Sequence, residues 1–123
     1  MKIFFDGGCR PNPGQMETAV VARGKMYRQQ DLGQGSSEEA EWLALLHALR
    51  VARGLGATVV SVHGDSASVI AQARGLTKCR RPEMRKHLAA FEEEARHFSV
   101  LRIRHIKRTQ NLAGIAIDSS RNR

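Results

Sequence analysis

The chain is expected to be an α/β domain built on a five-stranded mixed sheet flanked by helices. Three observations lead there. Three β-rich runs crowd the first third of the chain with only turns between them, helical and strand periods alternate afterwards, and each late strand follows a helix. Strands joined by tight turns pair antiparallel, whereas strands separated by a helix return parallel. The order βββ-α-β-α-α-β-α therefore predicts a sheet that is antiparallel first and parallel later.

Lys2 to Phe5 is a short β-rich run ending at Asp6-Gly7-Gly8. Arg10-Pro11-Asn12-Pro13-Gly14 follows, and its two prolines and glycine exclude helix or central strand. Thr18 to Ala22 and Lys25 to Leu32 read as the second and third strands around an Arg23-Gly24 turn. Ser36 or Ser37 caps the first helix, with Glu38, Glu39 and Glu41 loading the positive end of its dipole. Trp42, Leu45, Leu46, Leu49 and Ala52 then recur at three and four, an apolar stripe that stops at Gly54. Ala57 to His63 reads as a buried strand stopped by Gly64. Ser66 to Arg74 reads as a short helix, and Pro82 opens a longer one through about Phe98. Val100 to Ile106 alternates as a strand, with Arg102 and Arg104 on one face, where basic residues are ordinarily solvated. Asn111 is placed to cap a last helix, and Ser119 to Arg123 read as a frayed tail. The expected division is one domain over 1–118 and a C-terminal tail over 119–123.

With 123 residues there is room for one ordinary domain and no second. Apolar residues make up 41% and charged residues 26%, the balance of a globular chain and not of a disordered one. No apolar run nears the ~20 residues of a membrane span, and no charged-then-apolar leader opens the chain, so no membrane role is expected. Cys9 and Cys79 form neither a disulfide framework nor a zinc-spaced pair, which suits a reducing, cytoplasmic setting. Twenty Lys and Arg against 12 Asp and Glu leave a formal charge of +8. That surplus favours a polyanionic partner, nucleic acid first. Aromatic residues are only 5% of the chain, too few for a platform that stacks single strands. A monomer is the default expectation.

Four acidic residues fall at element ends or on helices near them: Asp6 after the first strand, Glu41 early in the first helix, Asp65 after the fourth strand, and Asp118 in the last helix. Carboxylates at strand ends of an α/β sheet border the crevice where ligands bind. Gathering such charges out of water requires a counter-charge. Arg or Lys can supply it; so can a divalent ion, and oxygen-only ligands select a hard one such as Mg²⁺ or Mn²⁺. Each acid alone is more ordinarily a turn former or a cap.

Asp6-Gly7-Gly8 followed by Asn12-Pro13-Gly14 resembles the opening D-G-x-x-x-x-N-P-G of the type 1 ribonuclease H family. Ser36-Ser37-Glu38-Glu39-Ala40-Glu41 is similar to that family's T-N-N-x-x-E, Asp65-Ser66 to its D-S, and His105-Ile106-Lys107-Arg108-Thr109-Gln110-Asn111 to its H-V-x-R-x-x-N. The landmarks run in the family's order from about Lys2 to Asp118. The resemblance implies a ribonuclease H-like fold, in a compact form without the basic loop that larger members insert. It implies a catalytic domain over 1–118 that cleaves the RNA strand of RNA–DNA hybrids with two Mg²⁺ or Mn²⁺ ions per site. Two ions about 4 Å apart neutralise the phosphodiester, generate hydroxide and stabilise the leaving oxygen. Asp6 would bridge the ions, Glu41 and Asp65 would hold the leaving-group ion, and Asp118 the ion carrying water. Gly7 and Asn12 would approach the substrate, Asn12 reading a ribose 2′-OH. Ser36 would meet a DNA-strand phosphate together with Asn12, Ser37 would stand where the family reads the hybrid's minor groove, and Arg108 would face a phosphate.

Two departures bear on this expectation. The family's last Asp falls at Ile115 here, and Asp118 lies three residues on, about one helical turn and ~4.5 Å further. Asp118 either takes its place or is a surface residue, leaving three carboxylates. Ser37-Glu38 stands where the family has paired asparagines. Lys78, Arg80, Arg81, Arg85 and Lys86 cluster around Pro82, as a solvated face or as a patch for the DNA backbone. The alternatives to a ribonuclease are a hybrid- or duplex-binding module that has lost turnover, and a related DNA nuclease of the same superfamily.

Overall fold

β1 (Lys2–Arg10) and β2 (Gly14–Ala22) form the spine of the computed structural model, which describes residues 1–121. They pair antiparallel, Ile3 opposite Ala22 and Asp6 opposite Ala19, and β3 (Lys25–Gln29) extends the ladder on the far side of β2. On the other side β5 (Val59–Gly64) lies parallel to β1, and β6 (Val100–His105) parallel to β5. The order β3-β2-β1-β5-β6 is the expected mixed sheet. A two-residue strand, β4 (Gln34–Gly35), joins it against Gly14 and Gln15 of β2.

β1 is longer than its composition suggests. The expected end at Phe5, with Asp6 closing the strand, is corrected: pairing continues through Gly7, Gly8 and Cys9 to Arg10 because β2 supplies a ladder partner at every step. Asp6 is therefore mid-strand. It nevertheless borders a crevice, since β5 pairs β1 only as far as Phe4 and then ends at Gly64.

One face of the sheet carries α1 (Ser37–Gly54), α2 (Ala67–Ala73) and α3 (Pro82–Ala95). Ser36 caps α1 by accepting from Glu39 N at 3.1 Å. The predicted stripe of Trp42, Leu45, Leu46, Leu49 and Ala52 is buried with Ile3, Phe5, Val20, Val60 and Val62. α3 adds Met84 and Phe91; the Phe91 ring meets Trp42 edge-on at 6.4 Å. Near its N-terminus His87 lies 2.8 Å from Glu39, tying α3 to the start of α1.

α4 (Leu112–Arg121) covers part of the opposite face, burying Ala113 and Ile117 with Ala19. It continues helical through Ser119, Ser120 and Arg121, where a frayed tail was expected; the last two positions of that tail lie outside the described residues. Asn111 Oδ1 accepts from Ala113 N at 3.1 Å, as a capping residue should. Both cysteines are free, and among the described residues no helix is long and apolar enough to cross a membrane.

Candidate active site

Three elements deliver three carboxylates to one place. β1 carries Asp6, α1 carries Glu41 one turn in from its cap, and Asp65 follows the last residue of β5. One oxygen from each lies within 4.8 Å of the others. α1 can come this close to β1 because Gly7 has no side chain: a Cβ there would sit 2.0 Å from the carbonyl oxygen of Ala40. The same approach lets Gly7 N–H donate to Glu41 Oε1.

Asp6 and Glu41 are almost wholly buried. Burial pushes the Asp6 carboxyl up to about 6, against the opposing pull of Arg108. Burial, reinforced by the charge of Asp6, holds Glu41 well above the usual carboxylate range. These are acids short of positive charge. Part of it comes from Arg108, in the turn after β6. Its Nη1 donates to Asp6 Oδ1 at 2.7 Å and to Asp65 Oδ2 at 3.1 Å, and its Nη2 donates to Asp118 Oδ1 at 3.0 Å. Burial works against the Arg108 charge, but the bonds to Asp6 and Asp65 outweigh it and fix the guanidinium as a cation. Gly114 makes space for it, since a Cβ there would lie 2.7 Å from Nη1.

The expected fourth acid stands apart. Asp118 is half-exposed, lies outside the three-acid cluster and is linked to Asp6 and Asp65 through Arg108. Ile115, at the position where an acid was absent, is also largely exposed. Arg108 itself points into the carboxylates and not outward to a phosphate, because two buried or half-buried acids attract it more strongly than open solvent does.

A cleft of about 320 Å³ opens over the cluster, lined by Asp6, Gly7, Ser37, Glu41, Asp65 and Arg108 among others. Asn12 fastens the Pro-rich turn to its rim: Nδ2 donates to Ser37 Oγ at 2.6 Å and Oδ1 accepts from Ser37 N at 3.2 Å. Ser36 is occupied as the α1 cap. Lys78, Arg80, Arg81, Arg85 and Lys86 are all exposed on the α2–α3 connection and the start of α3, and none meets a carboxylate among the described residues. Lys78, Arg80 and Arg85 line a separate cleft of about 450 Å³. Two contributors were not singled out from the sequence. Asn111 is fully buried and holds Asp65 in place, Nδ2 donating to Asp65 Oδ2 and to Phe5 O, both at 3.0 Å. Its place in the last motif was the available signal. Gly114 had none.

The donor set suits a hard divalent ion: oxygen only, two acids buried, and more negative charge than one guanidinium neutralises.

A profile of the family described as reverse transcriptase-like matches residues 4–117. Ribonuclease HI of Halobacterium salinarum is 28% identical over 95% of this chain and 64% of its own length. The crystal structure of RNase H1 from that archaeon superposes with a TM-score of 0.87 at 25% identity, covering 99% of this chain and 98% of that one. The N-terminal RNase H domain of Rv2228c from Mycobacterium tuberculosis gives a TM-score of 0.84 at 28% identity, over 98% and 95%. LC11-RNase H1, solved in complex with an RNA/DNA hybrid, shares the fold at a TM-score of 0.79 and 24% identity, over 97% of each chain. The chain thus spans 64% of the archaeal relative and 36% of the bifunctional mycobacterial protein, Rv2228c. By the extent of the family match and the likeness of its fold to RNase H1, the chain belongs to the reverse transcriptase-like family and has the architecture of a type 1 ribonuclease H.

Proposed function

We propose that the chain hydrolyses the RNA strand of RNA–DNA hybrids with divalent metal ions, Mg²⁺ or Mn²⁺, held by Asp6, Glu41 and Asp65. The observation that carries this is the convergence of those three acids from separate elements. Bound ions would neutralise the phosphodiester and lower the pKa of water to give a nucleophile near neutral pH, two of them flanking the attacking and leaving oxygens. The chain's own residues do the rest. Gly7 N–H fixes one Glu41 oxygen, and Asn111 fixes one Asp65 oxygen, so both carboxylates are oriented before anything binds. Asn12 and Ser37 form a polar rim where a ribose or phosphate of the hybrid would rest. The basic residues around Pro82 would hold the DNA backbone by charge. Asp118 would join the site when Arg108 turns away from the carboxylates. The ribonuclease names of the relatives support the same reading.

The Arg108 guanidinium favours a second reading, in which it permanently occupies oxygens of Asp6 and Asp65 and the protein binds hybrid without cutting it. Incubating purified protein with end-labelled RNA–DNA hybrid and Mg²⁺ distinguishes the two. RNA fragments are expected, and Asp6→Asn should abolish them while leaving hybrid binding in place. Hybrid that is bound but intact, with Mn²⁺ also tried, establishes the binding module. Asp118→Ala should lower turnover; an unchanged rate removes Asp118 from the site.

A further inference from the structure

α4 covers only the β1–β2 part of its face of the sheet. Over β5 and β6 that face is open, and the strand register lines up two rows of side chains across it. Phe4, His63 and Arg104 form one row, and Lys2, Ser61 and Arg102 the other. Three cations and an imidazole thus share a small area. No carboxylate pairs with Lys2, Arg102 or Arg104 among the described residues. Cations gathered on one face without counter-charge repel one another.

Protection of the sheet edge accounts for only part of this. β6 is an edge strand, and charge there deters pairing with other chains. Lys2 and His63, however, sit on the two strands inside it. The Lys2 ammonium lies 5.1 Å over the Phe4 ring, and the His63 ring lies 5.8 Å from Phe4. His63 Nε2 contacts Ser61 Oγ at 3.0 Å, while its Nδ1 is buried with no partner. Beside these groups is a cavity of about 530 Å³ lined by Lys2, Phe4, His63, Arg104, Ile106 and Gln110. None of the six lines the cleft above the carboxylates.

We propose that this open sheet face is a second anion site that takes a nucleoside phosphate, either free or at the end of a nucleic-acid strand. Lys2 and Arg104 hold the phosphate, Arg104 through a guanidinium fork that matches its oxygens. The volume far exceeds that of inorganic phosphate and falls in the range of pockets for small organic ligands. Phe4 and Ile106 offer an apolar wall to a base, and the Gln110 amide can meet its polar edge. Lys2 gives up a weak contact with an aromatic face to pair with the phosphate.

The test uses the full chain without divalent metal, with AMP as probe, following the His63 ring by NMR and affinity by calorimetry. AMP is expected to move the His63 ring resonances. Lys2→Ala and Arg104→Ala, both at exposed positions, should each weaken AMP at least tenfold. Lys25→Ala, which removes the same charge from another exposed position, should leave AMP binding unchanged. Inorganic phosphate should bind more weakly than AMP. Single strands with and without a terminal phosphate identify the source: a strand that competes with AMP only when phosphorylated assigns the site to strand ends, and failure of both strands to compete assigns it to free nucleotide. No His63 response to millimolar AMP overturns the proposal, as does equal loss of affinity in Lys25→Ala. Phosphate binding as tight as AMP removes the nucleoside from it.

Discussion

At Asp6, charge placed for function opposes stability, Arg108 offsets part of the cost, and both effects can be measured. Asp6 is buried and its carboxyl is raised from 3.8 to about 6. A raised acid binds its proton more readily folded than unfolded, so its stabilising contribution is complete below pH 3.8 and disappears as pH climbs through 6. The difference is roughly 2–3 kcal/mol at neutral pH, opposing the fold. Asp6→Asn should therefore melt above wild type at pH 7.5 without metal, with the gap closing toward pH 4; thermal melts across that range check it, and a constant gap contradicts it. The same linkage predicts that Mn²⁺ binds more weakly below pH 6, where Asp6 holds its proton. Arg108 is the resident cation of the cluster, bonded to Asp6, Asp65 and Asp118 together. An incoming divalent ion must compete with it for the same oxygens. Arg108→Ala should thus lower the melting temperature of the metal-free protein and enlarge the rise that Mn²⁺ produces, with Mn²⁺ binding about tenfold tighter by calorimetry. Equal affinity would place Arg108 outside the competition.

The site depends on how closely two elements approach, and here the contact between β1 and α1 decides. Gly7 lies against the Ala40 carbonyl, which is backbone and cannot swing aside. Gly7→Ala must push α1 away from β1, an overpacking penalty of at least ~3 kcal/mol. It also moves Glu41 off its bond to Gly7 N–H. The expected result is a large drop in melting temperature and loss of Mn²⁺ binding in whatever protein still folds; a variant that melts and binds like wild type would show that the contact is soft. This contact also marks how far the sequence could be read. α1 was legible because its cap, acidic first turn and apolar stripe agree over 18 residues. Asp6, Glu41 and Asp65 were legible as acids bordering a crevice. The length of β1 was not, because glycines weaken the strand signal and only β2, across the Pro-rich turn, supplies the partners that extend it. β4 was invisible for the same reason, having two residues and no period of its own. The direction of Arg108 was beyond sequence, since a guanidinium goes where fields converge, and that convergence joins residues 6, 65 and 118. Gly114 is its local counterpart, a vacancy whose purpose appears only once Arg108 lies in it.

Across the whole molecule the +8 charge is unevenly spent. Asp6, Glu41 and Asp65 are drawn into the cleft and Glu94 pairs with Arg53 at 2.9 Å, while the cluster around Pro82 is left without carboxylate partners among the described residues. Exposed, unpaired cations that meet a nucleic-acid backbone act through counterion release, so under the proposed function their contribution should depend on salt and not on base sequence. Hybrid affinity is therefore expected to fall steeply as salt rises. Replacing Arg80, Arg81 and Lys86 together by Ala should reduce the slope of log K against log salt by about 3, uniformly over hybrids of different sequence. Arg85 is better left in place, because it bonds the carbonyls of Cys79 and Arg80 and supports the turn that carries the others. The triple variant touches none of Asp6, Glu41 or Asp65, so turnover at saturating hybrid should stay at the wild-type rate while the concentration needed to saturate rises. A slope unchanged by the substitutions would make the cluster a solvated face. A fall in turnover with the slope intact would mean that these residues act on the carboxylate cleft and not on the distant backbone.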